Sequence, residues 1–167
     1  MRVIDPSNNL LSLDVFHNAP VIVPGNNIRK IINEKRIEEM AQSKSETIIQ
    51  WIAQDSNQAV KLTPSKLKQL QTIPYTKCGG LPGKSKFVVD MPVMVTRNIS
   101  VELGLTNGLI GKVVQVVTDC KKKELVDKVH LQALPCCVIV SFSQMEFPQL
   151  EKLQKHEVPI FPMQSTF

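Results

Sequence analysis

The clearest candidates for chemistry are the glycines and the lysine of CGGLPGKSK, residues 78–86. A phosphate-binding loop requires G-x-x-x-x-G-K-[ST], whose backbone N–H groups surround the phosphates while the lysine reaches them. Counting five positions back from Gly83 gives Cys78, so the first glycine of that pattern is missing. The following KFVVDMPVMV has a strand pattern, whereas a phosphate-binding loop leads into a helix. The sequence therefore predicts no nucleotide site here.

The cysteines and histidines form no metal-binding pattern. The four cysteines include no CxxC pair, and the three histidines lie in unrelated contexts. Cys136 and Cys137 belong to an apolar strand pattern, where a free cysteine acts as a small hydrophobic residue. We expect no metal site and no disulfide.

Charge and hydropathy narrow the class of protein. The 167 residues include 20 Lys and Arg against 15 Asp and Glu, and the net charge of +5 permits a polyanionic partner. No apolar run approaches the roughly 20 residues that span a membrane, so we expect no membrane association. The first residues are interrupted by Asp5 and Pro6 before an apolar stretch develops, which predicts an intracellular protein without a secretion signal.

The first third of the chain has the pattern of an α/β unit. A β-branched run at residues 21–23 predicts a strand that ends at Pro24 and Gly25. A helix should follow, capped by Asn26 or Asn27. Its apolar positions are expected to lie in the core: Ile28, Ile31 and Ile32. The segment ETIIQWIAQD, rich in β-branched residues and with one aromatic, predicts a second strand, with a helix as the alternative.

The rest of the chain changes from connector to strands. Between residues 56 and 86, prolines and glycines surround one short helix, TPSKLKQLQ, with Thr63 as its cap and Pro64 in the first helical position. Strand patterns follow in KFVVDMPVMVTRN, LIGKVVQVVTD, KVHLQALPCCVIVSF and VPIFPMQSTF. Their turn-separated spacing predicts a small antiparallel barrel or meander.

Three segments together carry a family resemblance: APVIVPGNNIRKIINE, LPGKSKFVVDMPVMVTRNISVELGLTNGLIGKVV and VPIFPMQSTF. In this order and at these separations, the chain from about residue 18 to 167 resembles the C-terminal half of DNA helicases of the PIF and Helitron (rolling-circle transposon) group. The most specific element is M-P-V-M-x-T-x-N followed by G-L-x-N-G-x-x-G.

The resemblance implies a domain plan and a fold class. Residues 1–60 would form part of a second RecA-like motor domain, an α/β structure that carries the family's fourth helicase motif. Residues 61–85 would connect it to a small antiparallel barrel of the Src-homology-3 (SH3) kind at 86–147. Residues 148–167 would return toward the motor domain.

The resemblance also implies an activity that this chain would not perform alone. The complete family enzymes use ATP and Mg²⁺, held by a Walker A loop, an acidic ligand and an arginine that this sequence does not contain. We therefore expect no cofactor in this chain and neither ATP hydrolysis nor unwinding by it alone. Its implied partners are single-stranded or forked DNA and the missing motor lobes, and its implied location is the nucleus.

The stretch MPVMVTRNISVELGLTNGLIGKVVQV, residues 91–116, has a structural and a functional interpretation. Asn107 and Gly108 suit a turn with positive φ, and Gly111 suits a close backbone approach, as in a simple hairpin. In the functional interpretation a DNA-binding face is formed by Arg97, Asn98, Asn107 and Lys112. For Asn98, capping of the loop is the favoured alternative.

The remaining candidates also have two interpretations. The family match allows Asn26 and Asn33 a contact with nucleotide or DNA, while helix capping is the structural alternative for Asn26. Trp51 could stack on a base or lie buried in an apolar segment. For the whole chain, the alternatives to a helicase portion are a stand-alone protein-interaction barrel and a non-functional transposon remnant.

Overall fold

A computed structural model describes residues 21–56, 62–119, 122–125, 128–131, 133–148 and 150–166. The chain divides into two compact units, residues 1–34 and 35–167. Within the described residues, no helix is both long and apolar enough to cross a membrane.

The described residues form two α-helices, one short 3-10 helix and eight strands. The helices are α1 (Asn26–Lys44) and α2 (Pro64–Leu70), and the 3-10 helix is Tyr75–Lys77. The strands are β1 (Ile48–Ile52), β2 (Lys84–Phe87), β3 (Pro92–Met94), β4 (Ile110–Val117), β5 (Lys122–Leu125), β6 (Lys128–Leu131), β7 (Cys137–Ser141) and β8 (Glu157–Ile160).

Helix α1 begins one residue earlier than an asparagine cap would require. Its first residue is Asn26, and the carbonyl oxygen of Gly25 accepts a hydrogen bond from the backbone N–H of Arg29 at 3.1 Å. Gly25 thus occupies the cap position, and the predicted caps Asn26 and Asn27 lie inside the first turn. At the other end Ser45 adopts a φ of 55°, a left-handed conformation that ends helices.

Two predictions for the first unit are wrong. Residues 21–23 form no strand, since no strand in the described part of the chain pairs with them, and Ile22 exposes 97% of its surface. The predicted core positions Ile28 and Ile31 are exposed at 47% and 65%, and Ile32 is only half-buried. Apolar spacing along a helix predicts a face, but burial also requires a surface that covers the face.

The first sheet has the strand order β2-β1-β6-β5. Strand β1 confirms the strand predicted in ETIIQWIAQD, and it runs antiparallel to β2 and parallel to β6. The strands β5 and β6 are antiparallel. The sheet thus joins β1, which lies in the segment predicted to be motor domain, to β2 and β6. The predicted domain boundaries at residues 60, 85 and 147 stay predictions.

The second sheet is entirely antiparallel, in the order β3-β4-β7-β8. Its central pair, β4 and β7, contains an irregularity between Val113 and Gln115 that shifts the register. An irregularity of this kind adds a residue on one strand and increases its local twist.

The architecture is of the α+β class, with helices and mainly antiparallel sheets. The prediction of an α/β part with a small antiparallel barrel is confirmed only in its coarse form, as a combination of helices with antiparallel sheets. In the ranges that the structure describes, the strands form two open sheets and no closed barrel.

The main core lies against the second sheet. Phe142, Val113 and Leu105 are at most 2% exposed, and Trp51 and Phe87 of the first sheet pack against this cluster. A smaller cluster combines Ala41, Ile48 and Val88.

The predicted helix in the connector is confirmed as α2, with Pro64 in its first turn. The side chain of its cap, Thr63, accepts a hydrogen bond from the backbone N–H of Lys66 at 3.3 Å. Such a bond satisfies one of the free N–H groups at a helix start.

Candidate nucleic-acid interface

The β3–β4 loop, residues 95–109, carries three of the predicted DNA-binding residues. Backbone hydrogen bonds close its base, from Val95 N–H to the Leu109 carbonyl at 2.9 Å and from Gly108 N–H to the Val95 carbonyl at 2.8 Å. Near its far end, Ser100 and Leu105 form an isolated antiparallel bridge. Main-chain hydrogen bonds therefore stabilise the loop both at its base and near its far end.

A tight turn leads from the loop into β4. The backbone N–H of Leu109 donates to the carbonyl of Thr106 at 3.2 Å, and the intervening Gly108 has a φ of 94°. A turn with positive φ at its third residue favours glycine there. The positive-φ turn predicted from Asn107 and Gly108 is confirmed, with Gly108 as the residue that needs it.

Asn98 and Asn107 meet across the loop. The Asn98 Oδ1 atom accepts a hydrogen bond from the backbone N–H of Asn107 at 2.9 Å, although both residues are exposed. At this point the loop has no strand pairing. The side-chain amide of Asn98 takes the place of a main-chain hydrogen-bond partner and so stabilises the loop. This geometry matches the loop-capping interpretation of Asn98, and the amide nitrogen of the side chain is the remaining group that could contact a ligand.

Arg97, the residue before Asn98, is exposed and lies against the turn at residues 78–81. A Cβ atom built on Gly80 would lie 2.5 Å from Arg97 Nη2 and 3.3 Å from Cζ. The guanidinium thus occupies the space that any side chain at position 80 would need. Arg97 is therefore an exposed cation whose side chain lies against the main chain at Gly80.

Lys112 is exposed on β4, between the buried Gly111 and Val113. It lies opposite Pro92 of β3 and Ser141 of β7. Side chains alternate between the two faces of a strand, so Lys112 is on the outer face of the sheet while its neighbours in sequence face the core.

The predicted close approach at Gly111 is confirmed. A Cβ atom at this position would lie 2.7 Å from Phe142 Cδ1 and 2.7 Å from Val140 Cγ1. Both partners belong to the core cluster, so the glycine lets the sheet lie directly on Phe142. The absence of a side chain at Gly111 thus allows the strand that carries Lys112 to pack directly on the core.

Asp90 carries a negative charge that interacts with Lys44 and, more weakly, with Lys112. Its carboxylate accepts a hydrogen bond from Lys44 Nζ at 2.9 Å. This hydrogen bond and the charge of Lys44 lower the pKa of Asp90, and the charge of Lys112 adds a smaller effect in the same direction. Lys112 is therefore close enough to a carboxylate to interact with its charge.

Asn26 and Asn33 form a separate candidate pair on α1. Both are exposed, and seven residues separate them, nearly two helical turns, so they share one side of the helix. They belong to the unit of residues 1–34, whereas the four residues of the β3–β4 loop and β4 belong to residues 35–167.

Sequence reasoning missed two features of this region. The contact of Gly80 with Arg97 joins two segments that are distant in sequence, and the pattern CGG alone does not indicate it. The second is a set of exposed apolar side chains in and next to the loop. Met94 and Ile110 lie directly opposite each other and expose 56% and 67% of their surfaces. The loop adds Ile99, Val101 and Leu103.

Cys137 lies buried in β7, next to the exposed Cys136. Burial raises the pKa of the Cys137 thiol, and the neighbouring Cys136 raises it further, which keeps this group in its unreactive thiol form. No group of three His, Cys, Asp or Glu residues that could hold a metal ion occurs within the described ranges.

A scan of the chain against protein-family models and searches of curated proteins and of solved structures found no match.

Proposed function

We propose that this chain is the DNA-engaging portion of an ATP-dependent DNA helicase of the PIF and Helitron kind. In this proposal residues 86–147 act as the SH3-like element that contacts DNA, and residues 1–60 belong to a second RecA-like motor domain. The ordered motif M-P-V-M-x-T-x-N and G-L-x-N-G-x-x-G supports this assignment. Single-stranded or forked DNA is the proposed ligand.

One observation carries the proposal: the motif forms a loop held by hydrogen bonds, with Arg97 exposed on the loop and Lys112 exposed on the following strand β4. The hydrogen bonds at Val95, Asn98 and Ser100 restrict the loop, while Arg97 and Lys112 remain accessible. A restricted loop loses little conformational entropy when it binds, so its charged contacts contribute more to affinity. Contacts of this kind to phosphates bind single strands without reading their sequence.

The test is a fluorescence-anisotropy titration of the folded chain with labelled single-stranded DNA over a series of salt concentrations. We compare the wild type with the double variant Arg97→Ala/Lys112→Ala. Removal of two phosphate contacts should weaken binding and reduce the slope of log K against log salt by roughly 1.4, since each contact contributes about 0.7 on single strands.

The matched control is Lys35→Ala/Lys68→Ala, which removes the same charge from two exposed lysines on the helices. It should retain the wild-type slope more closely than the Arg97→Ala/Lys112→Ala variant. An equal effect of the two variants would reduce the interaction to a general effect of net charge. Absence of binding by the folded wild type at low salt would contradict the proposal.

The proposal also assigns the chemistry of ATP to other parts of a complete enzyme. The sequence contains no Walker A loop, so we expect no ATP hydrolysis by the purified chain. Hydrolysis that persists through purification and scales with protein concentration would contradict this expectation.

The exposed apolar side chains favour a second candidate, a protein-interaction module. Met94, Ile110 and Val101 each expose more than half of their surface, and exposed apolar groups of this size often contact another protein. In this case the chain would bind a protein partner with little dependence on salt and would not bind DNA at low salt. The titration above separates the two candidates.

A further inference from the structure

The turn at residues 78–81 is built from two adjacent glycines in left-handed conformations. Gly79 has a φ of 60° and Gly80 a φ of 80°. The backbone N–H of Leu81 donates to the carbonyl of Cys78 at 3.1 Å, and the Cys78 side chain is buried at 7% exposure. The buried cysteine and the hydrogen bond fix the backbone of the turn.

The two glycines have different neighbours. A Cβ atom on Gly79 would overlap the side chain of Ser165, whose own Cβ would be only 2.8 Å away. A Cβ atom on Gly80 would lie 2.5 Å from Nη2, 3.3 Å from Cζ and 3.4 Å from Nε of Arg97. The turn therefore has the segment after β8 on one side and the whole guanidinium of Arg97 on the other.

We propose that Gly80 is a positioning residue that sets the Arg97 guanidinium for contact with a DNA phosphate. This inference rests on the proposed function, because it assigns to Arg97 the phosphate contact proposed there. Gly80 itself touches no ligand. It acts by leaving room for the Arg97 side chain beside the main chain of the turn, which limits the orientations open to the guanidinium.

The geometry determines which group moves if a side chain is added at position 80. Movement of the turn is opposed by Ser165, which lies beside Gly79, and by the burial of Cys78. Arg97, in contrast, presents the end of a flexible side chain that changes rotamer at little cost. Gly80→Ala should therefore displace the guanidinium while the fold remains intact.

The first test needs neither DNA nor a variant. In the folded wild type, labelled with ¹⁵N and ¹³C, the Nε–H proton of Arg97 should give nuclear Overhauser effects to the α-protons of Gly80. A well-resolved Arg97 Nε–H signal without these effects would overturn the placement of the guanidinium, and with it the proposal.

The second test measures the displacement by chemical modification. Phenylglyoxal reacts with accessible guanidinium groups, and mass spectrometry gives the rate for Arg97 alone. The rate should rise in Gly80→Ala, because one face of the guanidinium is uncovered. The control is Gly25→Ala, which adds a methyl group with no atom within 4 Å and lies outside the β3–β4 loop, so it reports any unspecific effect of a glycine-to-alanine change. An equal rate in Gly80→Ala and Gly25→Ala would overturn the proposal.

The DNA titration then tests whether the placement of the Arg97 guanidinium affects the affinity for single-stranded DNA. Gly80→Ala should lose affinity for single-stranded DNA by about tenfold, the effect of one charged hydrogen bond. The double variant Gly80→Ala/Arg97→Ala should bind no more weakly than Arg97→Ala, since both changes act on one contact. Additive losses would overturn the positioning role. If Arg97→Ala binds DNA as the wild type does, the phosphate contact fails, while the Overhauser and phenylglyoxal measurements still judge the placement of Arg97.

Discussion

The Oδ1 atom of Asn98 accepts a hydrogen bond from the backbone N–H of Asn107, and this one bond joins the two sides of the β3–β4 loop across nine residues. It lies between the main-chain bonds at Val95 and the bridge at Ser100. The asparagine thus supplies an acceptor where the main chain has no partner of its own. The stretch that contains M-P-V-M-x-T-x-N and G-L-x-N-G-x-x-G therefore includes a side chain that stabilises its own loop.

Replacement of Asn98 should show how much this bond contributes. Asn98→Ala removes the acceptor, and we expect a loss of about 1 kcal/mol in the free energy of unfolding, the usual net contribution of one hydrogen bond. Urea denaturation followed by circular dichroism measures it. Asn98→Asp is the control, because its carboxylate still accepts the bond. Equal stability of Asn98→Ala and the wild type would show that the bond contributes nothing.

Gly111→Ala should destabilise the core through overpacking. The added methyl group would lie 2.7 Å from Phe142 and Val140, in a cluster where Phe142 is 1% exposed. Overpacking of a filled core costs about 1–3 kcal/mol. The change appears as a lower midpoint of guanidinium unfolding. The control is Gln115→Ala, at an exposed position of the same strand. Equal midpoints for the two variants would mean that the sheet can move away from Phe142.

Local signals in the sequence predicted the local structure well. Thr63 and Pro64 predicted the start of α2, and the β-branched pattern predicted β1, because caps and strand patterns act over a few residues. The turn at Gly108 was recognised for the same reason, since its positive φ is a property of one residue. Predictions of this kind need no knowledge of distant contacts.

Contacts between distant segments could not be predicted in the same way. The apolar run at residues 21–23 has the composition of a strand, but a strand requires a partner, and composition does not identify one. Ile31 has helical spacing from its apolar neighbours yet is 65% exposed. The contact of Gly80 with Arg97 joins residues 17 positions apart through a turn and a loop, and no local pattern marks it. The positioning of the candidate site therefore became visible only in three dimensions.

The hydrogen bond between Lys44 and Asp90 should make stability depend on pH in the acid range. The bond lowers the pKa of Asp90 in the folded state below its ordinary value of 3.8. A carboxyl group whose pKa is lower in the folded state stabilises the fold above its unfolded pKa, and this contribution disappears as the pH falls through the folded pKa. The wild type should therefore be more stable than Asp90→Asn at neutral pH, and the difference should decrease below about pH 4.

Urea unfolding of both proteins at several pH values measures this difference. Asparagine suits the substitution, because residue 90 has a φ of 66° and asparagine tolerates this conformation. Glu39→Gln is the control, since its carboxylate lies 3.8 Å from Lys35 Nζ, beyond hydrogen-bond distance, whereas Asp90 lies 2.9 Å from Lys44 Nζ. A difference between the wild type and Asp90→Asn that stays constant down to pH 2 would contradict the role of the Lys44 bond.

The single tryptophan should report on the core and not on DNA. Trp51 is half-buried and stacks on Phe87 with ring centroids 5.0 Å apart and an angle of 3° between the planes. Because this face of the indole is already covered, we expect single-stranded DNA to leave the fluorescence of Trp51 unchanged at concentrations that saturate the anisotropy signal. Strong quenching that follows the binding curve would favour the alternative in which Trp51 stacks on a base.

Disruption of the ring pair should affect both stability and emission. Phe87→Leu retains an apolar side chain but removes the stacked ring, so we expect a loss of about 0.5–1.5 kcal/mol and a red shift of the Trp51 emission, as the indole becomes more accessible to water. Phe161→Leu is the control, because Phe161 is 64% exposed. It should leave both properties near those of the wild type. An unchanged emission spectrum in Phe87→Leu would show that Phe87 does not shield the indole from water.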